Sequence, residues 1–402
     1  MHDKACERPH IVHVSGDFPD PFAPNKTPVV RSLIDLTADQ FRHGVISINR
    51  VSPSPVRFLK SAMSRDSGPV MYATEFPYGI ALQYQAAGRG IFHASTLRCL
   101  GDELASIIAR QGTPDLLVGH KLTIEGLVVA RAAARLNIPY ALCIQGNTDA
   151  KILTMRPDLQ RLFGQTLHGA AHVFPFAPWA LGMAERHLGK VRPTSVTLLP
   201  CPTDLDEPMP PTQGGDRLIS VFHLRHHAVK NLAGLAMATQ HCVHQGIISG
   251  LDVIGGGTGA DLAKCRSVAR RAPQITFAGP LARDALRRRM NRAIGLALPS
   301  RRESFGLVFI EALFAGLPII YPAGAAVDGY FDDLPFALPV DARNPRAIAR
   351  GMAKLVTEER QLKAALASWQ QGTHAEQFRR ASIAGQFAQG LECAVHQGFK
   401  PA

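Results

Sequence analysis

The chain has 402 residues, of which 46% are hydrophobic and 19% are charged. This composition is typical of a globular protein, because a disordered chain has fewer apolar and more charged residues. The 44 lysines and arginines against 32 acidic residues give a formal charge of +12. No basic tail or arm stands out, so the excess favours an anionic ligand or an anionic membrane surface over a nucleic-acid-binding arm.

The sequence shows no targeting or membrane-spanning signal. Its first ten residues, MHDKACERPH, lack the apolar core of a secretory signal, and no run of about 18 apolar residues occurs. We therefore expect a cytoplasmic protein, at most peripheral to the inner face of the membrane. The seven cysteines are scattered and never spaced as C-x-x-C, which argues against a disulfide framework and against a zinc site.

Short apolar runs alternate with amphipathic helical segments through the first half of the chain. The predicted strands span residues 10–15, 45–49, 115–119, 140–144 and 172–174, and the predicted helices span 29–42, 124–136 and 181–187. Strands that alternate with helices at this spacing predict a parallel sheet with right-handed crossovers.

A stretch rich in proline and glycine, residues 198–215, precedes a second set of alternating elements. The strands predicted there span residues 218–222, 251–254, 274–278, 294–298 and 318–321, and the helices span 231–245, 260–271, 283–291 and 308–314, with a helical pattern from 345 onward. At about 100–200 residues per domain, this indicates an α/β protein with two Rossmann-like, doubly wound domains. We expect an acceptor-binding domain over 1–200 and a nucleotide-sugar-binding domain over 201–402, facing each other across a cleft, with the last helix packed on the first domain.

Residues 296–320, LALPSRRESFGLVFIEALFAGLPII, combine a strand, a loop and a helix that could bind a nucleotide sugar. Gly306 permits close approach of a ligand to the backbone, and the helix after it presents free N–H groups suited to a phosphate. Glu303 and Glu311 can accept hydrogen bonds from sugar hydroxyls. The alternative is that both are ordinary helix acids, but Glu311 has apolar neighbours, among which an unpaired charge is costly.

This segment, P-S-x-x-E-x-F-G-L-x-x-x-E-A-x-x-x-G-x-P, resembles the hallmark of GT-B glycosyltransferases of the large retaining family 4, the glycosyl transferases group 1. Residues 221–231 (VFHLRHHAVKN) resemble the G-R-L-x-x-x-K-N segment of that family. The glycine-rich turn LDVIGGG at 251–257, the strand ITFAGP at 275–280 and the linker PCPTD at 200–204 fall in the expected order. The resemblance covers about residues 198–350 and is thinner before them.

Arg225 and Lys230 also have a physical rationale. A nucleotide diphosphate leaving group gains negative charge as the bond to the sugar breaks, so fixed cations beside it stabilise the transition state more than the ground state. Arginine offers a fork and lysine a point charge, which together can neutralise a diphosphate without a metal. The alternative reading is two solvated charges at a strand-to-helix turn.

In the first half, DLLVGH at 115–120 resembles the strand end D-x-x-x-x-H of the family, and Gln145-Gly146 stands where a His-Gly pair is usual. His120 follows a buried strand, at the edge of the sheet where open α/β folds bind ligands, and the resemblance implies that it contacts the donor sugar. Alternatively it is a satisfied histidine at a strand end. The Gly-Gly loop of the family is replaced by FAPNKTPV at 22–29. The acceptor-side residues expected here are Gly16, Asn25, Lys26, Gln145 and Asp149.

The resemblance implies transfer of a sugar from a nucleotide-diphosphate sugar to an acceptor hydroxyl, with retention and without a metal or other cofactor. The expected acceptor is a sugar, a lipid-linked sugar or a small molecule, as in bacterial surface polysaccharide or glycolipid synthesis, and no nucleic acid is expected as partner. The residues expected to take part in catalysis are His120, Arg225, Lys230 and Glu303. Those expected to bind the donor are Gly255, Gly256, Gly257, Gly279, Leu281, Ser304, Phe305, Gly306, Leu307 and Glu311.

Other functions are less consistent with the sequence. GGGTGA at 255–260 fits a dinucleotide fingerprint of weak specificity, but the next strand lacks the terminal acid that would hold a nicotinamide-cofactor ribose. The sequence lacks the signatures expected of a sugar-nucleotide epimerase or of a phosphorylase of the same fold. A catalytically silent sugar-nucleotide-binding subunit stays open as an alternative.

Overall fold

The computed structural model describes residues 8–52, 69–86 and 92–398. Cys6 and most of the N-terminal segment in which no signal is predicted lie outside these residues. Among the described residues, no helix combines the length and the apolar character needed to cross a bilayer.

The chain divides into two compact units. The first comprises Met1–Phe176, Ala180–Leu199 and Ile383–Ala402, and the second comprises Ala177–Trp179 and Pro200–Ser382. The main passage between them therefore falls at residues 199–200, inside the proline- and glycine-rich stretch. The chain returns to the first unit at Ile383.

The first unit contains a seven-stranded sheet. Its strands are β1 (His10–Ser15), β2 (Arg42–Val51), β3 (Val70–Phe76), β4 (Gly79–Gln85), β5 (Leu116–Gly119), β6 (Tyr140–Ile144) and β7 (His172–Pro175). They lie in the order β3-β4-β2-β1-β5-β6-β7, and all neighbours are parallel except the pair β3 and β4. The side chains of β5 and β6 are buried throughout, as expected of central strands covered on both faces.

The helices of this part of the chain are α1 (Val29–Leu36), α2 (His93–Gln111), α3 (Glu125–Leu136), α4 (Asn147–Met155), α5 (Gln160–Gly169) and α6 (Pro178–Leu188). The helix predicted to reach Arg42 ends at Leu36. Thr37 caps the end of this helix. Its N–H donates a hydrogen bond to the Ile34 carbonyl (3.1 Å), and its hydroxyl donates one to the Leu33 carbonyl (3.0 Å). The chain then turns into β2, where Arg42 pairs with His10.

The second unit contains a six-stranded, fully parallel sheet. Its strands are β8 (Leu218–Val221), β9 (Leu251–Ile254), β10 (Ile275–Gly279), β11 (Gly295–Ala297), β12 (Ile319–Pro322) and β13 (Ala337–Val340), in the order β10-β9-β8-β11-β12-β13. The remaining helices are α7 (Leu232–His244), α8 (Gly259–Val268), α9 (Arg283–Asn291), α10 (Leu307–Phe314), α11 (Pro345–Thr357), α12 (Glu359–Gln370), α13 (Thr373–Glu376) and α14 (Arg380–His396).

The predicted α/β class with two doubly wound sheets is confirmed. Three strands were missed, β3, β4 and β13. β13 is short and contains Pro339, which breaks the sequence pattern but is tolerated in a strand at the edge of a sheet. The antiparallel pair β3 and β4 is likewise an edge feature, and β3 alternates exposed and half-buried residues without a buried run.

In each sheet the strand order reverses beside the first strand of the unit, between β1 and β5 and between β8 and β11. Open α/β sheets bind ligands at the carboxyl ends of the strands at such a switch point. The loops that leave β1 and β5 therefore define the ligand edge of the first unit. The loops that leave β8 and β11 define that of the second.

Candidate functional site

At the ligand edge of the second unit, Lys230 and Glu303 form a close ion pair. Lys230 follows β8 and Glu303 follows β11, so the pair joins the two loops of the switch point. Ser300 also donates a hydrogen bond to the Glu303 carboxylate at 3.4 Å. The two paired side chains remain 20% and 14% exposed, so a ligand can reach both.

Asn231 fixes the position of Lys230 beside it. Its backbone has φ 63°, in the left-handed region, and its side chain caps α7. The Asn231 amide donates to the carbonyls of Pro299 (3.1 Å) and Ala342 (2.7 Å), and its oxygen accepts from Arg301 Nε (3.2 Å). Asn231 is not among the site residues predicted from the sequence, although it directly follows Lys230 in the motif.

Arg225 lies on a short 3₁₀ turn after β8 and is exposed. Its Nε donates to His226 Nε2 at 3.0 Å, and its backbone N–H bonds to His223 Nδ1 at 3.3 Å. Burial lowers the pKa of His226, and the charges of Arg225, His223 and Lys230 lower it further. The positive charge of this loop therefore comes from Arg225 and Lys230, and His226 accepts a hydrogen bond from Arg225.

Three predicted glycines fit turns that bring neighbouring strand ends together. Gly255 has φ 154°, and a side-chain carbon there would lie 1.9 Å from the Phe222 carbonyl oxygen. Its N–H bonds to the carbonyl of Gly279 (2.9 Å), and the Gly256 carbonyl accepts from Leu224 (2.8 Å). A side-chain carbon at Gly257 would lie 2.8 Å from Leu224 Cβ.

The loops after β8, β9 and β10 are therefore held side by side. A side-chain carbon at Gly279 would have no atom within 4 Å, and Leu281 beyond it is 39% exposed. All five predicted donor-site residues of these turns lie at the ligand edge of the second unit.

The N-terminus of α10 begins at Leu307, immediately after Gly306 at φ 77°. Gly306, the residue before the helix, has no side chain that could cap this terminus, and the positive end of the helix dipole there favours an anion. Phe305 is buried against Tyr330, with ring centroids 6.2 Å apart, and anchors the loop. Ser304 and Leu307 are half-buried.

Glu311 lies one turn further along α10. Its carboxylate accepts a hydrogen bond from the Thr203 hydroxyl at 3.0 Å. Burial raises its pKa, an effect that Thr203 and the positive charge of Arg283 partly oppose. A half-buried carboxylate with one remaining oxygen suits a ligand that donates hydroxyl hydrogen bonds.

In the first unit, His120 follows β5 and has no exposed surface. Its Nε2 lies 3.1 Å from His13 Nδ1. Burial, together with the positive charge of Lys121, lowers the pKa of His120 to about 3, so the imidazole is neutral at physiological pH.

The other acceptor-side residues have different environments. Lys26 pairs with buried Asp20 at 2.8 Å. Burial raises the pKa of Asp20, but the hydrogen bonds from Lys26, Ser47 and Asn49 outweigh this effect and lower that pKa to about 2. The charge of Lys26 is thus already balanced, while its neighbour Asn25 is exposed.

Gly16, Gln145 and Asp149 lie near the carboxyl ends of β1 and β6. The Gly16 N–H donates to buried Glu125 Oε1 at 2.7 Å, and a side-chain carbon at Gly16 would lie 2.9 Å from that oxygen. Asp149 is fully buried and accepts from the Thr123 N–H (2.9 Å) and hydroxyl (2.7 Å). Gln145 is half-buried.

This edge also contains buried charges that were not predicted from the sequence. Lys121 contacts Asp17 at 2.6 Å and Glu125 at 3.3 Å. Such an ion network draws on β1, β5 and α3, and no motif in the sequence marks it. No group of three or more His, Cys, Asp or Glu side chains in the described ranges is arranged to hold a metal ion.

The structure thus combines two doubly wound sheets, and the ligand edge of the second sheet is lined by glycine turns and by the cations Arg225 and Lys230. Residues 210–370 match the family described as Glycosyl transferases group 1. A segment of 119 residues is 29% identical to a D-inositol 3-phosphate glycosyltransferase of Nocardioides sp., and it covers 27% of this chain and 26% of that relative. The chain thus matches only about a quarter of the length of this relative.

Two solved structures show the same fold over almost the whole chain. Sucrose-phosphate synthase from Thermosynechococcus elongatus superposes with a TM-score of 0.67 at 18% identity, covering 96% of this chain and 98% of that one. The Anabaena protein HepE, solved with UDP and glucose, gives 0.61 at 14% identity, covering 96% and 99%. This chain therefore has a GT-B fold, and residues 210–370 of its second unit resemble the glycosyl transferases group 1, which confirms the resemblance predicted from the sequence.

Proposed function

We propose that the protein transfers a sugar from a nucleotide-diphosphate sugar to a hydroxyl group of an acceptor. The observation that carries this proposal is the Lys230–Glu303 pair beside the N-terminus of α10. It places a cation, a carboxylate and the positive end of a helix dipole at one sheet edge, within the segment that matches the family.

Each part of a nucleotide sugar finds a counterpart in this edge. Glu311 binds the ribose hydroxyls, and the turns at Gly255–Gly257 and Gly279–Leu281 line the nucleotide. Glu303 and the backbone of residues 305–307 hold the donor sugar. Because HepE was solved with UDP and glucose, a uridine diphosphate sugar is the first donor to test.

Arg225 and Lys230 supply the catalytic charge. As the bond between the anomeric carbon and the diphosphate oxygen breaks, negative charge moves onto the diphosphate, where both cations stabilise it. The acceptor oxygen forms its bond to the anomeric carbon on the same face, and the acceptor proton passes to the departing phosphate oxygen. In this scheme the configuration is retained and no protein base is required.

Metal independence follows from the same two cations, since they provide the charge that a divalent ion supplies elsewhere. A chelator should leave the rate nearly unchanged. Loss of activity with EDTA that manganese or magnesium restores would show that the leaving group is neutralised by a metal instead.

The acceptor is inferred from the charge of the chain and from one of its relatives. The net charge of +12 is compatible with an anionic or lipid-linked acceptor at the inner face of the membrane, as in surface polysaccharide or glycolipid synthesis. A phosphorylated cyclitol is a further small-molecule candidate, because a D-inositol 3-phosphate glycosyltransferase is among the relatives.

The test is nucleotide release by the purified chain from UDP-, GDP- and ADP-sugars, with and without candidate acceptors. We expect turnover with one nucleotide class and, by NMR of the product, the anomeric configuration of the donor. Binding of a nucleotide sugar without turnover in any acceptor mixture would favour the silent sugar-nucleotide-binding subunit. An α-linked donor that gives a β-linked product would exclude retention.

A further inference from the structure

A continuous row of hydrogen-bonded side chains runs through the first unit to His120. The Thr37 hydroxyl lies 2.9 Å from His43 Nε2, His43 Nδ1 lies 2.9 Å from His13 Nε2, and His13 Nδ1 lies 3.1 Å from His120 Nε2. We call these four residues the histidine relay. They come from the end of α1, from β2, from β1 and from the end of β5, four separate parts of the sequence.

The hydrogen-bond directions in the histidine relay follow from its Thr37 end. The Thr37 hydroxyl also lies 3.0 Å from the Leu33 carbonyl oxygen, which can only accept. Both contacts of Thr37 are hydrogen bonds only if its hydroxyl donates to Leu33 and accepts from His43. The neutral His43 ring therefore carries its proton on Nε2, and its Nδ1 accepts.

The proton positions on His13 and His120 follow from that on His43. Because His43 Nδ1 accepts, His13 donates from Nε2, and its own Nδ1 must then accept from His120 Nε2. A neutral ring carries one N–H, so His120 keeps a bare lone pair on Nδ1. His13 and His120 have no exposed surface, and burial lowers the pKa of all three rings, which keeps them neutral.

The bare nitrogen of His120 lies at the ligand edge of the first unit. His120 Nδ1 is buried and has no hydrogen-bond partner among the described residues. A buried acceptor without a partner is costly, and a ligand hydroxyl would remove that cost. His172 Nδ1 is also buried without a partner, but His172 begins β7 at the opposite end of the strands, which makes it an internal control.

We propose that His13, His43 and Thr37 are positioning residues that fix the His120 tautomer, so that His120 Nδ1 accepts a hydrogen bond from a hydroxyl group of the sugar substrate. The inference rests on the proposed function for the nature of the ligand. The tautomer itself does not depend on it. The relay thus makes the site selective for a hydrogen-bond donor at this point of the sugar.

The tautomer can be measured by ¹⁵N NMR of the full chain labelled at histidine, with His120 assigned from the variant His120→Gln. We expect a pyridine-type signal for His120 Nδ1 and a pyrrole-type signal for Nε2. A UDP-sugar that the protein turns over should shift the His120 Nδ1 signal relative to UDP alone, whereas the signal of His172 should not move.

Thr37→Val breaks the far end of the relay without touching His13 or His120. We expect mixed tautomers at His120 and a fall in kcat/KM of about tenfold, with unchanged affinity for UDP. Thr154→Val is the matched control, because the Thr154 hydroxyl makes the same bond to the carbonyl four residues earlier (2.8 Å) but contacts no histidine. His13→Leu is the stronger variant if it folds.

A protonated Nδ1 on His120 in the unaltered protein, or an unchanged tautomer in Thr37→Val, would overturn the relay. If His120 has the expected tautomer but its Nδ1 signal does not change with any UDP-sugar that is turned over, the proposed hydroxyl contact is wrong. If no nucleotide sugar is turned over, the proposed function fails, while the ¹⁵N pattern still decides whether the relay sets the tautomer.

Discussion

The ligand edges of the two units use opposite electrostatic strategies. In the second unit the edge is charged and partly open, with Lys230 paired to Glu303, an exposed Arg225 and the N-terminus of α10. In the first unit the histidine relay is neutral, its members His13 and His120 are fully buried, and Lys121 contacts two carboxylates. The charged edge of the second unit suits a diphosphate that gains negative charge. The neutral edge of the first unit suits the orientation of uncharged hydroxyl groups.

Removal of a cation from the open edge should have the largest effect. We expect Lys230→Ala to lower turnover about 100- to 1000-fold, the usual loss when one group that stabilises transition-state charge is removed. Steady-state nucleotide release measures it. Lys354→Ala is the matched control, since Lys354 pairs with Glu358 at 3.8 Å on α11, away from the strand ends. Equal, small effects of both variants would show that the open edge does not carry the catalytic charge.

Removal of the Glu311 carboxylate from the edge of the second unit should lower the affinity for the nucleotide more than the rate of the chemical step. We expect Glu311→Ala to weaken nucleoside diphosphate affinity by about 1–3 kcal/mol, the cost of leaving hydrogen-bonding partners unpaired. Calorimetry with UDP, GDP and ADP measures it, and far-UV circular dichroism confirms that the fold is kept. Glu376→Ala on α13 serves as the control. Unchanged affinity for the diphosphate that binds would remove Glu311 from the site.

Lowering the pH should test whether the histidines of the first unit's edge are neutral. We expect a smaller, gradual loss of stability of this unit. Burial lowers the pKa of His43 to about 4 from its ordinary 6.5, so between these values the unfolded chain binds a proton that the folded chain does not. The free energy of unfolding of the first unit is therefore highest above pH 6.5 and falls as the pH drops towards about 4.

His43→Gln should flatten this acid dependence. Both tryptophans of the chain, Trp179 and Trp369, belong to the second unit, so amide hydrogen exchange of β1 and β2 is the suitable measurement. His241→Gln, at an exposed histidine of α7, should leave the profile unchanged. If His43→Gln and the unaltered chain lose protection at the same pH, the relay does not govern the acid stability of this edge.

The same contrast explains how much the sequence could predict. Glu303, Gly306 and Glu311 lie on one strand–loop–helix segment, whose local pattern already fixes their relative placement. Arg225 and Lys230 share one loop. The edge of the second unit was therefore predictable from short motifs, apart from the capping role of Asn231.

The first edge depends on contacts that no local pattern contains. His13 and His43 are on separate strands, and only the parallel pairing of β1 with β2 and β5 places them in line with His120. Similarly, Lys26 looks like a free cation in the sequence, but Ser47 and Asn49 on β2 join it around Asp20. Strand register decides both arrangements, and register is set by the assembled sheet.

The return of the chain to the first unit at Ile383 has a consequence for biosynthesis. On α14, the Phe387 ring packs against Phe174 at 5.2 Å and against His13 at 6.2 Å between centroids. A ribosome makes the seven strands of the first unit early, but it makes Phe387 only after Pro200–Ser382. Domains generally fold as they emerge, the N-terminal one first. Here the domain that emerges first is the last to be completed, and its apolar surface around Phe174 stays uncovered while the second domain is translated.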